Sequence, residues 1–333
     1  MLIIIKKGST PEDIEKLTQY LSKLQIEYTI WDDPEYGYIA LQRSPESSIQ
    51  DQLKKFPFVE RILEEIHLPP QKKPVKEIRI KNQIIGRRNF TIIAGPCTID
   101  NQQDLRKTAE QLRSLGVNFL RGGAYKLRSS PYSYQGLGKE ALGYMKDVCD
   151  ELDMISVSEI TSIDDFEMMS KYIDILIVGT RNMQNYRLLS ALGETEQPVI
   201  LKRGMANTIK EWILAAEYIS KAGNDNIILC ERGIRTFENY TRNTLDISAV
   251  PIVQKMTPYP VIVDPSHSSG IKELVKPLSW AAAAAGADGL LVECHYLPEK
   301  ALCDAQQTID INNLKEIKDK ISHIIQLWKK ITN

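Results

Sequence analysis

The sequence has no apolar run that approaches the ~20 residues of a membrane-spanning helix. Its first residues, MLIIIKKGSTPEDIEK, have no basic segment before the apolar stretch and no small-residue cleavage site, which argues against a signal peptide. It has only five cysteines, and their positions (97, 149, 230, 294 and 303) follow no disulfide-framework spacing. These absences favour a cytoplasmic protein that folds in a reducing compartment.

An excess of charge of one sign is also missing. The 42 Lys and Arg residues nearly balance the 43 Asp and Glu residues, and the formal net charge is −1. This balance predicts no general attraction for nucleic acid or for an anionic membrane. The sequence has no low-complexity tract, and its 333 residues suit one large domain with a small second one.

Residues 1–66 alternate short strands with helices. The runs LIIIK, QIEYTIW, YGYIALQ and VERILEE predict four strands, with two helices between them, the first capped by Ser9 or Thr10. The order βαββαβ is that of a ferredoxin-like α+β domain. Residues 67–75 are rich in Pro and Lys and predict a linker, and 76–333 form a second domain that begins with a hairpin.

Eight apolar, β-rich runs recur between residues 90 and 293, with helical stretches between them. One of these stretches, 207–223, has the i, i+3, i+4 apolar spacing of an amphipathic helix. Eight strand–helix units predict a (β/α)8 TIM barrel. A doubly wound open sheet is the alternative, but the number of units and the polar residue that closes nearly every strand favour the barrel. The runs are FTIIA, VNFL, MISV, DILIV, PVIL, NIIL, PVIV and GLLVE.

Four potential metal ligands follow strands of this predicted barrel. Cys97 in GPC, His267 in DPSH and Glu293 in VEC each adjoin an apolar run, and Asp304 lies a short loop later. Residues at the carboxyl ends of parallel strands converge on one site. A thiolate, an imidazole and two carboxylates suit Mn, Fe, Co or Zn better than Mg. Cys303 precedes Asp304 directly and should lie near Cys97.

Charged side chains are concentrated at the same strand ends. Clusters of Arg and Lys beside a metal are typical of sites for phosphate and carboxylate groups. We therefore expect a small anionic substrate rather than a polymer. The cations are Arg121, Lys126, Arg128, Arg181, Lys202, Arg203 and Arg232, and the acids among them are Glu159, Glu231 and Asp264.

Eight motifs occur in order between Phe90 and about Ile309: IAGPC, RGGAYK, SPYSYQGLG, GTRNMQN, LKRGM, CERGIRTFE, VDPSHSSG and VECHYLPEKALCD. Together they resemble the 3-deoxy-D-arabino-heptulosonate-7-phosphate (DAHP) synthases. The resemblance is to the type Iβ branch, in the form with an N-terminal ferredoxin-like regulatory domain. It implies a metal-dependent transferase that condenses phosphoenolpyruvate with erythrose 4-phosphate and water. The products would be DAHP and phosphate, at the first step of the shikimate pathway to aromatic amino acids.

The resemblance also implies roles for individual residues. It assigns the metal to Cys97, His267, Glu293 and Asp304. It assigns phosphoenolpyruvate to Arg121, Lys126, Arg181, Lys202 and Arg232. It assigns the aldose phosphate to Arg128, Ser129, Ser130 and Asp264. Lys126 and Glu159 are the candidates for proton transfer. The resemblance further implies a homotetramer, with tyrosine or phenylalanine as feedback effector bound between the small domains of neighbouring subunits.

Three residues depart from the family pattern without removing a charged contact. Leu127 replaces a proline in the sugar-phosphate loop, Thr180 replaces an alanine, and Tyr296 stands where proline is common. Two alternatives stay open. The related 3-deoxy-D-manno-octulosonate-8-phosphate synthases take arabinose 5-phosphate, but they have a sugar loop one residue longer and no ferredoxin-like domain. A catalytically idle regulatory paralogue should have lost a ligand or a cation, and this sequence has lost neither.

Overall fold

The computed structural model describes residues 1–32, 37–41, 45–63, 76–87, 89–127, 130 and 132–332. The chain divides into two compact units, Met1–Gln71 and Lys72–Asn333. The predicted linker, 67–75, lies outside the described residues. Within the described ranges, no helix combines the length and apolar character needed to cross a bilayer.

The small unit is a four-stranded antiparallel sheet with two helices. Thr10 begins the first helix with a capping box, in which its hydroxyl accepts from the Asp13 N–H and the Asp13 carboxylate accepts from the Thr10 N–H. Ile3, Leu17 and Leu53 lie fully buried in its core. The sheet order β2-β3-β1-β4 agrees with the predicted βαββαβ arrangement. Its elements are β1 (Leu2–Ile5), α1 (Pro11–Lys23), β2 (Tyr28–Asp32), β3 (Gly37–Leu41), α2 (Ser47–Leu53) and β4 (Val59–Leu63).

A two-stranded antiparallel hairpin opens the large unit, formed by β5 (Ile78–Ile80) and β6 (Gln83–Ile85). Three isoleucines of the hairpin, Ile78, Ile80 and Ile85, share one buried cluster with residues that start barrel strands, namely Phe119, Ile155 and Ile175. The hairpin therefore fills the amino-terminal end of the barrel and leaves the carboxyl end for a site.

Eight parallel strands close into a barrel, as the sequence predicted, and the open-sheet alternative is wrong. The barrel closes because its last strand pairs with its first. The paired residues run from Gly289 and Thr91 at one end to Glu293 and Gly95 at the other. Each predicted apolar run supplies one strand. The strands are β7 (Thr91–Gly95), β8 (Phe119–Arg121), β9 (Ile155–Ile160), β10 (Ile175–Val178), β11 (Val199–Lys202), β12 (Ile227–Glu231), β13 (Val261–Val263) and β14 (Gly289–Glu293).

Amphipathic helices surround the strands and bury their apolar faces against them. In α7, Trp212, Ala216 and Ile219 are fully buried, and the Trp212 indole donates to the Leu201 carbonyl. The helices of the large unit are α3 (Gln102–Ser114), α4 (Lys139–Leu152), α5 (Phe166–Met169), α6 (Tyr186–Gly193), α7 (Ile209–Lys221), α8 (Ala249–Met256), α9 (Pro265–Ser269), α10 (Lys272–Ala284) and α11 (Ile311–Thr332).

Candidate active site

A polar cavity of about 220 Å³ opens at the carboxyl ends of the barrel strands. This is the end at which barrel folds carry their active sites. Among the described residues, its walls come from the ends of seven strands, β8 to β14, or the segments that follow them, and they combine cations, carboxylates and a histidine. They are Lys126, Leu127, Ser130, Ser133, Glu159, Gly179, Thr180, Arg181, Lys202, Met205, Arg232, Arg242, His267 and Asp304.

Cys97 reaches the site because β7 ends in a glycine. Gly95 has φ +154°, and a Cβ there would lie 2.0 Å from the Arg121 carbonyl oxygen, so a larger residue would push β7 and β8 apart. Two residues later, Cys97 is buried with its Sγ 3.3 Å from Asp304 Oδ2 and 3.2 Å from Cys303 Sγ. The expected proximity of the two cysteines is confirmed. Burial, with the Cys303 hydrogen bond, raises the pKa of the Cys97 thiol well above its ordinary value.

His267 is oriented by the residue that begins its helix. Asp264 caps α9 by accepting from the His267 backbone N–H at 2.9 Å, and its other oxygen lies 2.7 Å from His267 Nδ1. Burial lowers the pKa of His267, which favours the neutral ring. Because the Asp264 carboxylate can only accept, the ring proton belongs on Nδ1 and the Nε2 lone pair points into the site.

Glu293 closes β14 and is fully enclosed. Its Oε1 lies 3.0 Å from Arg121 Nη1 and 3.2 Å from His267 Nε2. Burial works to raise the pKa of Glu293, but the neighbouring Arg121 and Lys126 cations lower it below its ordinary value. The carboxylate is therefore ionised at neutral pH.

These side chains suit a divalent transition metal. Cys97, Cys303 and Asp304 have potential ligand atoms within 4.8 Å of one another, and so do His267, Glu293 and Asp304, with Asp304 common to both groups. The lone pair of neutral His267 and the ionised Glu293 oxygen face each other, and a cation between them would remove that repulsion. Sulfur, nitrogen and oxygen donors together favour Mn, Fe, Co or Zn.

Four of the five cations assigned to phosphoenolpyruvate line the cavity: Lys126, Arg181, Lys202 and Arg232. The fifth, Arg121, is 4% exposed and pairs with Glu293 beneath the cavity. Lys202 Nζ lies 2.6 Å from Asp264.

Arg203 stands next to Lys202 in sequence but has a different environment. Its guanidinium binds Glu231 and Asp246, each at 2.9 Å, and it is buried away from the cavity. Glu231 also accepts from the Gly233 N–H. This ion-pair network ties β11 to the loop after β12, which carries Arg232.

The residues assigned to the aldose phosphate are only partly described. Ser130 lines the cavity, whereas Arg128 and Ser129 lie outside the described residues. Asp264 has no exposed surface and contacts Lys202 and His267, so its contact with sugar hydroxyls stays a prediction.

Glu159, the other candidate for proton transfer, reaches the cavity wall because position 179 is glycine. A Cβ at Gly179 would lie 2.0 Å from Glu159 Oε1.

Two residues of the site were missed by the sequence analysis. Arg242 belongs to the long loop after β12 and lines the cavity, 4.0 Å from Asp304 Oδ2. A loop of that length after a barrel strand was a signal that could have suggested it. Gln307 is fully buried against Glu293 and Arg242. No feature of the sequence distinguishes it from its exposed neighbour Gln306.

The model of the DAHP synthetase I family matches residues 71–329. A phospho-2-dehydro-3-deoxyheptonate aldolase from Thermotoga maritima is 44% identical over 97% of both chains. A 2-dehydro-3-deoxyphosphooctonate aldolase from Citrifermentans bemidjiense is 32% identical and covers 73% of this chain and 94% of its own.

Solved structures agree with these relatives. The crystal structure of the Thermotoga maritima phospho-2-dehydro-3-deoxyheptonate aldolase (DAHP synthase) superimposes with a TM-score of 0.77 at 43% identity, over 99% of this chain and 97% of that one. A truncated form of the 3-deoxy-D-arabino-heptulosonate 7-phosphate synthase from the same organism gives a TM-score of 0.70 at 48% identity, over 78% and 94% of the two chains.

Proposed function

The chain belongs to the DAHP synthetase I family, and on that premise we propose that it condenses phosphoenolpyruvate with erythrose 4-phosphate and water. The products are DAHP and phosphate, at the first step of the shikimate pathway. The observation that carries the proposal is one cavity with five cations on its described walls, Arg242 among them, beside a mixed thiol, imidazole and carboxylate cluster. The arabinose 5-phosphate alternative is disfavoured, because the octulosonate relative shares less identity over a shorter part of the chain.

The cations hold phosphoenolpyruvate by its two anionic ends. The substrate carries a carboxylate and a phosphate, and Arg181, Lys202 and Arg232 reach the cavity from three successive strand ends. Cations fixed on separate strands bind both ends in one relative position, which orients C3 for attack on the aldehyde carbon. Lys202 is itself held by Asp264, and Arg232 by the His267 carbonyl at 3.1 Å.

Cys97, His267, Glu293 and Asp304 would hold a divalent transition metal. When bound, such a metal supplies a Lewis acid for the aldehyde oxygen. The protein's own part is orientation: Asp264 fixes the His267 ring, and Arg121 neutralises part of the charge on Glu293.

Lys126 and Glu159 carry the proton transfers in this proposal. Burial works to lower the pKa of Lys126, but Cys97, Glu293 and Glu159 raise it above its ordinary value, so the ammonium stays charged. It can donate a proton to the aldehyde oxygen as the bond from C3 forms. Glu159 lies on the cavity wall, where it can accept a proton from the water that adds to C2 before phosphate leaves.

We further propose that residues 1–66 are a regulatory domain and that the enzyme is a cytoplasmic homotetramer inhibited by tyrosine or phenylalanine. Two facts support the regulatory role. The small unit has its own buried core, and every candidate catalytic residue follows Gly95 in the chain.

The choice of aldose phosphate is tested by phosphate release from phosphoenolpyruvate with erythrose 4-phosphate or arabinose 5-phosphate in parallel. We expect kcat/KM to be at least 100-fold higher with erythrose 4-phosphate. Equal or inverted values would contradict the proposed substrate, and no turnover with either sugar would support the idle paralogue.

A further inference from the structure

Gln307 connects a proposed metal ligand to a cation at the cavity wall. It ends the short turn Ala305–Gln307, directly after Asp304, and it has no exposed surface. Its Nε2 donates to Glu293 Oε2 at 2.5 Å, and its Oε1 accepts from Arg242 Nη1 at 3.2 Å. The same side chain thus contacts an anion and a cation.

A side-chain amide is well suited to this connection. A carboxylate such as Glu293 only accepts hydrogen bonds, and a guanidinium such as Arg242 only donates them. A residue between them must donate on one side and accept on the other, at the length of a glutamine. The two partners also determine which end of the Gln307 amide is oxygen and which is nitrogen.

The contact completes the hydrogen bonding of Glu293. Its Oε1 faces Arg121 and His267, while its Oε2 is held by Gln307. With both oxygens engaged, the plane of the carboxylate is fixed. The Gln307 backbone N–H also donates to the Asp304 backbone carbonyl at 3.1 Å, so the same turn links Gln307 to the main chain of a second proposed ligand.

We propose that Gln307 is a positioning residue that sets the orientation of Glu293 for metal binding and is itself held by Arg242. The inference rests on the proposed function in so far as Glu293 is a metal ligand. Partners that orient metal ligands are worth about 10- to 100-fold in metal affinity.

The test is a titration of the metal-free, full-length protein with Co²⁺, followed by the absorption of the cobalt–thiolate bond. Gln307→Met keeps the side-chain length and removes both hydrogen bonds, and we expect it to bind Co²⁺ about 10- to 100-fold more weakly than the parent. Gln306→Met is the matched control, because Gln306 is exposed and adjacent, and it should bind as the parent does. Equal affinity of Gln307→Met and the parent would overturn the inference.

A second variant guards against a Gln307 variant that fails to fold. Arg242 is partly exposed, so Arg242→Met should fold; it leaves Gln307 held on one side only. We expect Co²⁺ affinity to fall by roughly three- to tenfold, and Arg242→Lys, which can still donate to Gln307, should restore most of it. Parent-like affinity in Arg242→Met would overturn the role of Arg242. If the parent itself binds no Co²⁺, the proposed metal site is wrong and this inference falls with it.

Discussion

Asp288 makes the stability of the barrel depend on pH. It precedes β14 and is 4% exposed. Its Oδ2 accepts from the Val261 N–H at 2.7 Å and from Gln254 Nε2 at 3.1 Å. Burial raises the pKa of Asp288 from 3.8 to about 6, because desolvation outweighs these two hydrogen bonds and the nearby Arg87.

The sign and size of the effect follow from that pKa shift. Below about pH 4 the Asp288 carboxyl is protonated in both the folded and the unfolded chain, so it does not reduce the free energy of unfolding. As the pH rises from about 4 to 6, the unfolded chain releases its proton more readily, and stability falls. Above pH 6 the full loss is on the order of 3 kcal/mol, from a shift of about two pKa units at 1.36 kcal/mol each.

Asp288→Asn should remove this dependence, since an amide oxygen can accept both hydrogen bonds and carries no charge. We expect the variant to be more stable than the parent by about 3 kcal/mol at pH 8 and by about half of that at pH 5. In calorimetry this corresponds to a rise in Tm of roughly 5 °C at pH 8. Asp319→Asn, a change at an exposed carboxylate on α11, is the matched control. A gain that does not vary with pH, or a loss of stability at pH 8, would refute the reasoning.

Three further predictions concern the site and the small domain. Cys97→Ser should lose bound metal and lower kcat by roughly 100-fold or more while keeping the metal-free Tm, as metal analysis, initial rates and calorimetry would show; normal metal content would count against the ligand role. A chain that begins at Lys76, which keeps its 2.7 Å ion pair with Asp225, should stay active and become insensitive to tyrosine and phenylalanine. Inhibition curves identical to those of the full chain would disprove the regulatory role. Metal-free enzyme in air should lose two thiols as Cys97 and Cys303 form a disulfide, with dissolved oxygen accepting the electrons and protons. The Cys303→Ser variant should resist this inactivation. If the variant loses activity as fast as the parent, Cys303 has only a packing role.

The sequence was sufficient for the barrel because the strands are buried on both faces and end in polar residues. Continuous apolar runs such as DILIV therefore stand out, and the carboxyl-end rule predicts that Cys97, His267 and Glu293 lie at one end of the barrel without any contact being known. Helix α1 could also be predicted from the sequence, because its capping box is formed by residues close together in the chain.

The direction of individual side chains could not be read in the same way. Lys202 and Arg203 are adjacent cations after one strand, yet Lys202 reaches the cavity and Arg203 binds two buried carboxylates. Gln306 and Gln307 differ only in their place on a short turn, which exposes one and buries the other against Glu293. Such differences depend on partners that are distant in sequence, so no local pattern contains them.

Product identification with and without a chelator tests the central claim most directly. The purified protein is incubated with phosphoenolpyruvate and erythrose 4-phosphate, and the sugar product is identified by mass and by its stoichiometry with released phosphate. We predict one DAHP per phosphate, loss of activity after chelation, and recovery on addition of Mn²⁺ or Co²⁺. A chelated, metal-free sample that forms DAHP at the full rate would contradict the metal site, and a metal-loaded sample that forms none would contradict the proposed function.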